Sequence, residues 1–175
     1  DEVEEVIRRV EESNKRVNEE NDRVVRESKE IVRKVEEDNR RAIKESEEML
    51  DRVAKDRDRD KLRDVLRRLK ELHRRTIETT KEMADRIRKL HEETIRRTRE
   101  VLERNRRLAE DVLRRVPNVE EDLRRVVDKS RKNVEEVERK NRDVLRRIDK
   151  RAKELEDRNR EVLKKIEKTI RDLEK

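Results

Sequence analysis

One stretch of this chain states the same pattern twice. Asn21-Asp-Arg-Val24-Val25-Arg-Glu-Ser28-Lys-Glu-Ile31-Val32 returns as Asn39-Arg-Arg-Ala42-Ile43-Lys-Glu-Ser46-Glu-Glu-Met49-Leu50, an offset of 39 − 21 = 18 residues. At about 3.6 residues per turn this is five whole turns, so each side chain returns to the same helix face roughly 27 Å further on. The repeat confines the chain to long α-helices with polar residues set at fixed intervals inside an apolar stripe. The same 18-residue offset recurs twice more: Leu72-His73-Arg-Arg-Thr76-Ile77-Glu-Thr-Thr80 returns as Leu90-His91-Glu-Glu-Thr94-Ile95-Arg-Arg-Thr98, and Asn141-Arg-Asp-Val144-Leu145-Arg-Arg-Ile148 as Asn159-Arg-Glu-Val162-Leu163-Lys-Lys-Ile166.

Composition agrees with long helices and excludes several other classes. Gly, Cys and aromatic residues are absent and there is a single Pro, whereas an ordinary globular domain uses turn glycines and aromatics. Charged residues are 59% and apolar residues 29%. These values would fit a disordered chain, but the strict apolar periodicity points instead to a narrow, coiled-coil-like seam. Without Cys there are no disulfides, and the redox compartment is left open. No secretory signal and no apolar run approaching the roughly 20 residues of a membrane span is present. The expectation is therefore no membrane partner and an unknown localisation.

The formal net charge of +7 is unevenly spread: residues 1–55 carry 14 bases and 18 acids, 56–117 carry 21 and 14, and 118–175 carry 20 and 16. Attraction between the acidic first segment and the two basic ones favours packing it against them, less so in salt.

The order of elements follows from the breaks. Segment one opens with Glu2, Glu4 and Glu5, which suit the positive end of a helix dipole. Its stripe reads Val3, Ile7, Val10, Asn14, Val17, Asn21, Val24, Ser28, Val32, Val35, Asn39, Ala42, Ser46, Met49 and Val53. Lys55-Asp-Arg-Asp-Arg-Asp60 has no apolar residue and reads as a tight connection in which Asp58 or Asp60 caps the next helix. Val116-Pro117-Asn118 is the second break. Pro disfavours helix at the residue before it, and Asn118 with Glu121 three residues on resembles a capping box. The fold class is all-α: a single-chain, up-down-up bundle of three long, nearly straight helices at about 1–55, 59–115 and 119–174, forming one domain over residues 1–175.

Short connections bring the polar positions of the three segments to matching levels. Let height run up segment one, down segment two as 115 − i and up segment three as i − 118. Asn21 then lies at 21, Thr94 at 21, His91 at 24 and Asn141 at 23. Asn39 lies at 39, Thr76 at 39, His73 at 42 and Asn159 at 41. Asn14, Asn105 and Ser130 mark a third level between 10 and 14. Buried Asn, Thr and His must find hydrogen-bond partners or cost about 1–3 kcal/mol each. Such levels therefore select one register by penalising the others.

His73 and His91 are the only histidines. Within one straight helix they lie roughly 27 Å apart, too far to share a metal ion. A catalytic base needs a nucleophile and a pocket beside it, and a solid seam offers no pocket. The expectation is no enzyme, no metal and no cofactor. The histidines are read as neutral side chains satisfied by Thr or Asn, with a response to pH as the alternative. Basic pairs such as Arg67-Arg68, Arg96-Arg97 and Arg146-Arg147 are interrupted by acids and have no aromatic platform. They read as solvated faces rather than a nucleic-acid surface.

With its 18-residue cassettes, the Pro117-Asn-Val-Glu-Glu121 connection, the lack of aromatics and a Glu/Arg/Lys-saturated surface, the whole chain resembles the de novo designed helical bundles with built-in hydrogen-bond networks. That resemblance implies a structural scaffold with no natural biochemical function. Members of the class also serve as heterodimer parts or accept a further helix. The adjacent apolar pairs Val24-Val25, Ala42-Ile43, Met83-Ala84 and Val144-Leu145 widen the stripe. The alternative is therefore a helix-binding module, an open half whose groove takes a partner helix or a second copy.

Overall fold

The computed structural model describes residues 1–53, 55 and 58–175. It is all-α, with α1 at Glu2–Val53, α2 at Arg59–Arg115 and α3 at Glu120–Glu174. Of the first connection, residues 54, 56 and 57 lie outside the described residues. Asp58 caps α2, its carboxylate accepting the Lys61 amide at 3.3 Å. Asp1 does the same for α1, accepting the Val3 amide at 3.1 Å.

The second connection departs from the capping-box expectation. α3 starts one residue later, with the Val119 carbonyl accepting the Leu123 amide at 3.1 Å. Asn118 instead adopts a left-handed backbone with φ 62°. Asn tolerates that region better than other residues with a Cβ, and it serves to end α2 beyond Pro117. Asn118→Val is expected to lower unfolding free energy by about 1–2 kcal/mol, and Asn118→Gly to leave it unchanged or slightly higher. Urea midpoints of the two variants check this.

Two compact units make up the chain, and all three helices contribute to each. The first comprises Asp1–Ser28 with Ile87–Arg146. Within it α2 runs antiparallel to α1, because Glu2 meets Arg115, Glu20 meets Arg97 and Ser28 meets His91. α3 runs antiparallel to α2, because Asn105 meets Ser130, Arg99 meets Glu138 and His91 meets Asn141. Its apolar core is Val3, Val6, Val10, Ala109, Val112, Leu123 and Val126.

The second unit comprises Lys29–Arg86 with Arg147–Lys175. The same up-down-up order holds there: Asn39 meets Thr80, Ser46 meets His73, and His73 and Lys70 meet Asn159 and Glu167. Ile43, Val53, Leu62, Leu66, Leu69, Val162 and Ile166 form its core.

Medium-sized aliphatics at three- and four-residue spacing give each helix one apolar stripe, and burying that stripe is the main stabilising term. The outer faces carry Arg held between acids three residues before and four after, as at Glu5–Arg8–Glu12 and Glu30–Arg33–Glu37. Such exposed pairs contribute little to stability. The charge asymmetry of the segments appears as interhelix pairs from α1 acids to bases on α2 and α3: Glu20–Arg97, Glu2–Arg115 and Glu36–Arg151.

Candidate functional site: two buried polar circuits

In the first unit four polar side chains from three helices are buried together: Asn21 and Ser28 of α1, His91 of α2 and Asn141 of α3, none more than 2% exposed. Asn141 is the anchor. Its amide nitrogen donates to the backbone carbonyl of Val137 at 2.7 Å and to Asn21 Oδ1 at 2.6 Å. A backbone carbonyl only accepts, so the amide group must face it, and Asn141 Oδ1 is left facing His91 Nδ1. His91 therefore carries its proton on Nδ1 and donates it to Asn141.

The neutral ring then has an unprotonated Nε2, and Ser28 Oγ lies 2.9 Å from it. Ser28 Oγ is also 2.9 Å from the Val24 carbonyl. One hydroxyl proton cannot serve both. The Val24 carbonyl already accepts the helix amide four residues on, so the hydroxyl proton goes to His91. The bonds run Ser28 to His91 to Asn141 to Asn21, and return to α1 seven residues below their start.

The second unit holds the same arrangement one cassette further on. Ser46 Oγ donates to His73 Nε2, His73 Nδ1–H donates to Asn159 Oδ1 at 2.9 Å, and the Asn159 amide donates to Asn39 Oδ1 and, at 2.8 Å, to the Leu155 carbonyl. Here the circuit extends to α2 again: the Asn39 amide donates to Thr80 Oγ1 at 3.3 Å and to the Val35 carbonyl at 2.7 Å.

The other sequence-selected residues are placed less centrally. Thr94 is 5% exposed, but its hydroxyl donates to the Leu90 carbonyl, and half-buried Thr76 donates to the Leu72 carbonyl. These bonds stay within α2. Asn105 donates to Ser130 Oγ at 3.1 Å and links α2 to α3 at the third level. Asn14 is half-buried and takes no part in that bond.

The interhelix partners that sequence reasoning left out of the levels are Ser28, Ser46 and Thr80. Their absence has one cause. Ser28 pairs with His91, Ser46 with His73 and Asn39 with Thr80, so each pair of residue numbers adds to 119 rather than the 115 reckoned from the connections. α2 is thus displaced by four residues, about one turn, against α1. The signal was present in the sequence: both serines lie on the stripe, recur at 18 residues and follow their asparagines by seven.

Burial pushes both imidazoles below the ordinary histidine value of 6.5, and the bonds to Asn159 and Asn141 pull weakly the other way. If His91 is protonated, its Nε2–H donates to Ser28 Oγ and the hydroxyl proton turns to the Val24 carbonyl, leaving every group paired. In the second unit Ser46 Oγ faces His73 Nε2 in the same way.

In the first unit Glu138 is 8% exposed and held by Arg99 at 2.6 Å and Arg142 at 3.2 Å; the Arg99 hydrogen bond outweighs burial and holds its carboxyl below the ordinary range. Asn133 Nδ2 is buried without a partner. Asn133→Leu, which removes that unpaired group, is expected to raise unfolding free energy by about 1 kcal/mol, as read from the urea midpoint.

Among the described residues no group of three or more His, Cys, Asp or Glu side chains is placed to hold a metal ion, and no helix is long and apolar enough to cross a membrane.

No protein-family model matches the chain, and the comparison with curated proteins found no match. Among solved structures, a computationally designed three-helix bundle aligns over 99% of this chain and 92% of its own, with 15% sequence identity and a TM-score of 0.44. The chain has three long helices whose buried polar side chains are joined by hydrogen bonds.

Proposed function

We propose that the chain is a structural scaffold without a natural catalytic activity, whose helix register is specified by its repeated polar layers. One observation carries this reading: the Ser–His–Asn–Asn circuit of the first unit recurs, with the same residue types on the same helices, in the second. A slip by one turn would place these groups against Val or Leu and strand several buried donors and acceptors at once.

The layers act on uniqueness more than on total stability, because well-packed aliphatics can match a buried polar cluster energetically. The apolar pairs that widened the stripe do not favour a helix-binding module: Val24, Ala42, Ile43 and Met83 are buried, Val25, Ala84, Val144 and Leu145 are half-buried, and Leu113 is the exposed large apolar side chain among the described residues.

The test is a variant in which Asn21, Ser28, His91 and Asn141, together with Asn39, Ser46, His73 and Asn159, are all aliphatic. It should remain folded in urea at least as far as the parent, yet lose the parent's single sharp set of amide resonances or its monomeric mass in light scattering. A layer-free variant as sharp and as monomeric as the parent would overturn the assignment.

A further inference from the structure

Towards the start of α1 the 18-residue repeat lapses: Val3, Val10 and Asn14 stand at the positions of Asn21, Ser28 and Val32, and Ser13 at that of Ile31. On α1 the position of Ser13 recurs as Ile31 and Met49, both half-buried aliphatics, whereas on α2 the facing column keeps leucine as Leu72, Leu90 and Leu108. In the first unit the small Ser13 stands where the repeat elsewhere puts an aliphatic, and a cleft of about 690 Å³ opens between α1 and α2, lined by Ser13 and Leu108. That volume is within the range of small-molecule sites. The polar side chain at its base is already satisfied, since Asn105 is 4% exposed and donates to Ser130.

The rim is cationic. Arg16 of α1 and Arg104 and Arg114 of α2 line the cleft, and among the described residues they make no ion pair or side-chain hydrogen bond. The neighbouring Arg9 and Arg107 are held by Glu5 and Glu103. Of the three carboxylates on the rim, Glu12 is taken by Arg8 and Asp111 by Arg115, leaving Glu110.

We infer that this cleft is a binding site for a small amphiphilic anion, an alkyl chain of medium length ending in a carboxylate. The alkyl chain fills the volume left by Ser13 against Leu108, which removes apolar surface from water. The carboxylate meets the planar guanidinium forks of Arg16 and Arg104, which bind such groups through paired hydrogen bonds. Neither half of the ligand suffices: a bare carboxylate leaves the cleft wet, and a neutral alkyl compound leaves the arginines unmatched.

Sodium octanoate titrated into the intact protein tests this, read by calorimetry and by the resonances of Ser13 and Leu108. Saturable binding at one site is expected, with acetate and octyl glucoside each weaker by about tenfold. Ser13→Leu, which puts a large apolar side chain where the repeat has Ile31 and Met49, should abolish binding and raise the urea midpoint. Arg16→Gln with Arg104→Gln should weaken octanoate by about tenfold or more while the urea midpoint stays put. Shifts that never saturate, octyl glucoside binding as well as octanoate, or full binding retained in Ser13→Leu would each overturn the assignment.

Discussion

Replacing Asn159 with leucine is expected to lower the unfolding free energy by about 2–6 kcal/mol, although leucine is the more apolar residue and a better helix former. Asn159 is the junction of the second circuit, accepting from His73 and donating to Asn39 and to the Leu155 carbonyl. Its loss strands the His73 Nδ1–H and Asn39 Oδ1 in a site where neither residue is more than 1% exposed. Each stranded buried group costs about 1–3 kcal/mol. The sum is large against the 5–15 kcal/mol that ordinarily separates folded from unfolded chains.

The contrast lies with a second variant. When Asn39, Ser46, His73 and Asn159 are all made aliphatic no donor or acceptor is stranded, and the urea midpoint should return to the parent's value or exceed it. A single variant as stable as the parent would mean that these bonds carry no weight.

Acidification should give the second large effect, carried by two kinds of group. Burial places the folded-state pKa of His73 and His91 below the unfolded value of 6.5. Between the folded and unfolded values the unfolded chain binds more protons, so unfolding free energy falls as pH falls. The loss begins near pH 6.5, steepens below it and levels off beneath the folded pKa, with a slope of at most about 1.4 kcal/mol per pH unit per histidine.

Glu138 acts lower down. The Arg99 hydrogen bond, ahead of the opposing burial, holds its folded pKa below 4.5, so its contribution is intact above 4.5 and disappears as pH drops through the folded value. Urea midpoints should therefore stay level from pH 8 to about 6.5 and fall below it, and a His73→Gln, His91→Gln double variant should flatten the first part of that fall. An unchanged midpoint below that pH would remove the histidines from the stability of the fold.

Much of this was legible in the residues. Three segments, their breaks and the periodic polar positions follow from an 18-residue pattern that only a helix can keep on one face. The pairing of α1 with α3 was also close: Asn21 meets Asn141 and Asn39 meets Asn159, each 120 residues apart. The one-turn displacement of α2 was not legible, because no Gly or Pro in the first connection marks where α2 begins. That single offset explains why Thr76 and Thr94 were placed opposite the asparagines, why Thr80 takes the Asn39 bond, and why the serines were missed.

Asn118 was misread for a different reason. Asn is favoured both as an N-cap and in the left-handed conformation that ends a helix, and the preceding Pro117 is compatible with either. The cleft at Ser13 was also written in the repeat, but only the packed helices give it a volume and a cationic rim.

The most direct measurement is the nitrogen spectrum of the two imidazoles at pH 8 in protein labelled with ¹⁵N at histidine. Closed circuits require both rings to be locked as the Nδ1–H form, with Nδ1 in the protonated range, Nε2 in the unprotonated range, and the Nδ1 proton exchanging slowly with water. Two rings averaging rapidly between the tautomers, as free histidine does, or held as the Nε2–H form, would contradict the hydrogen-bonded layers to which we assign the choice of register.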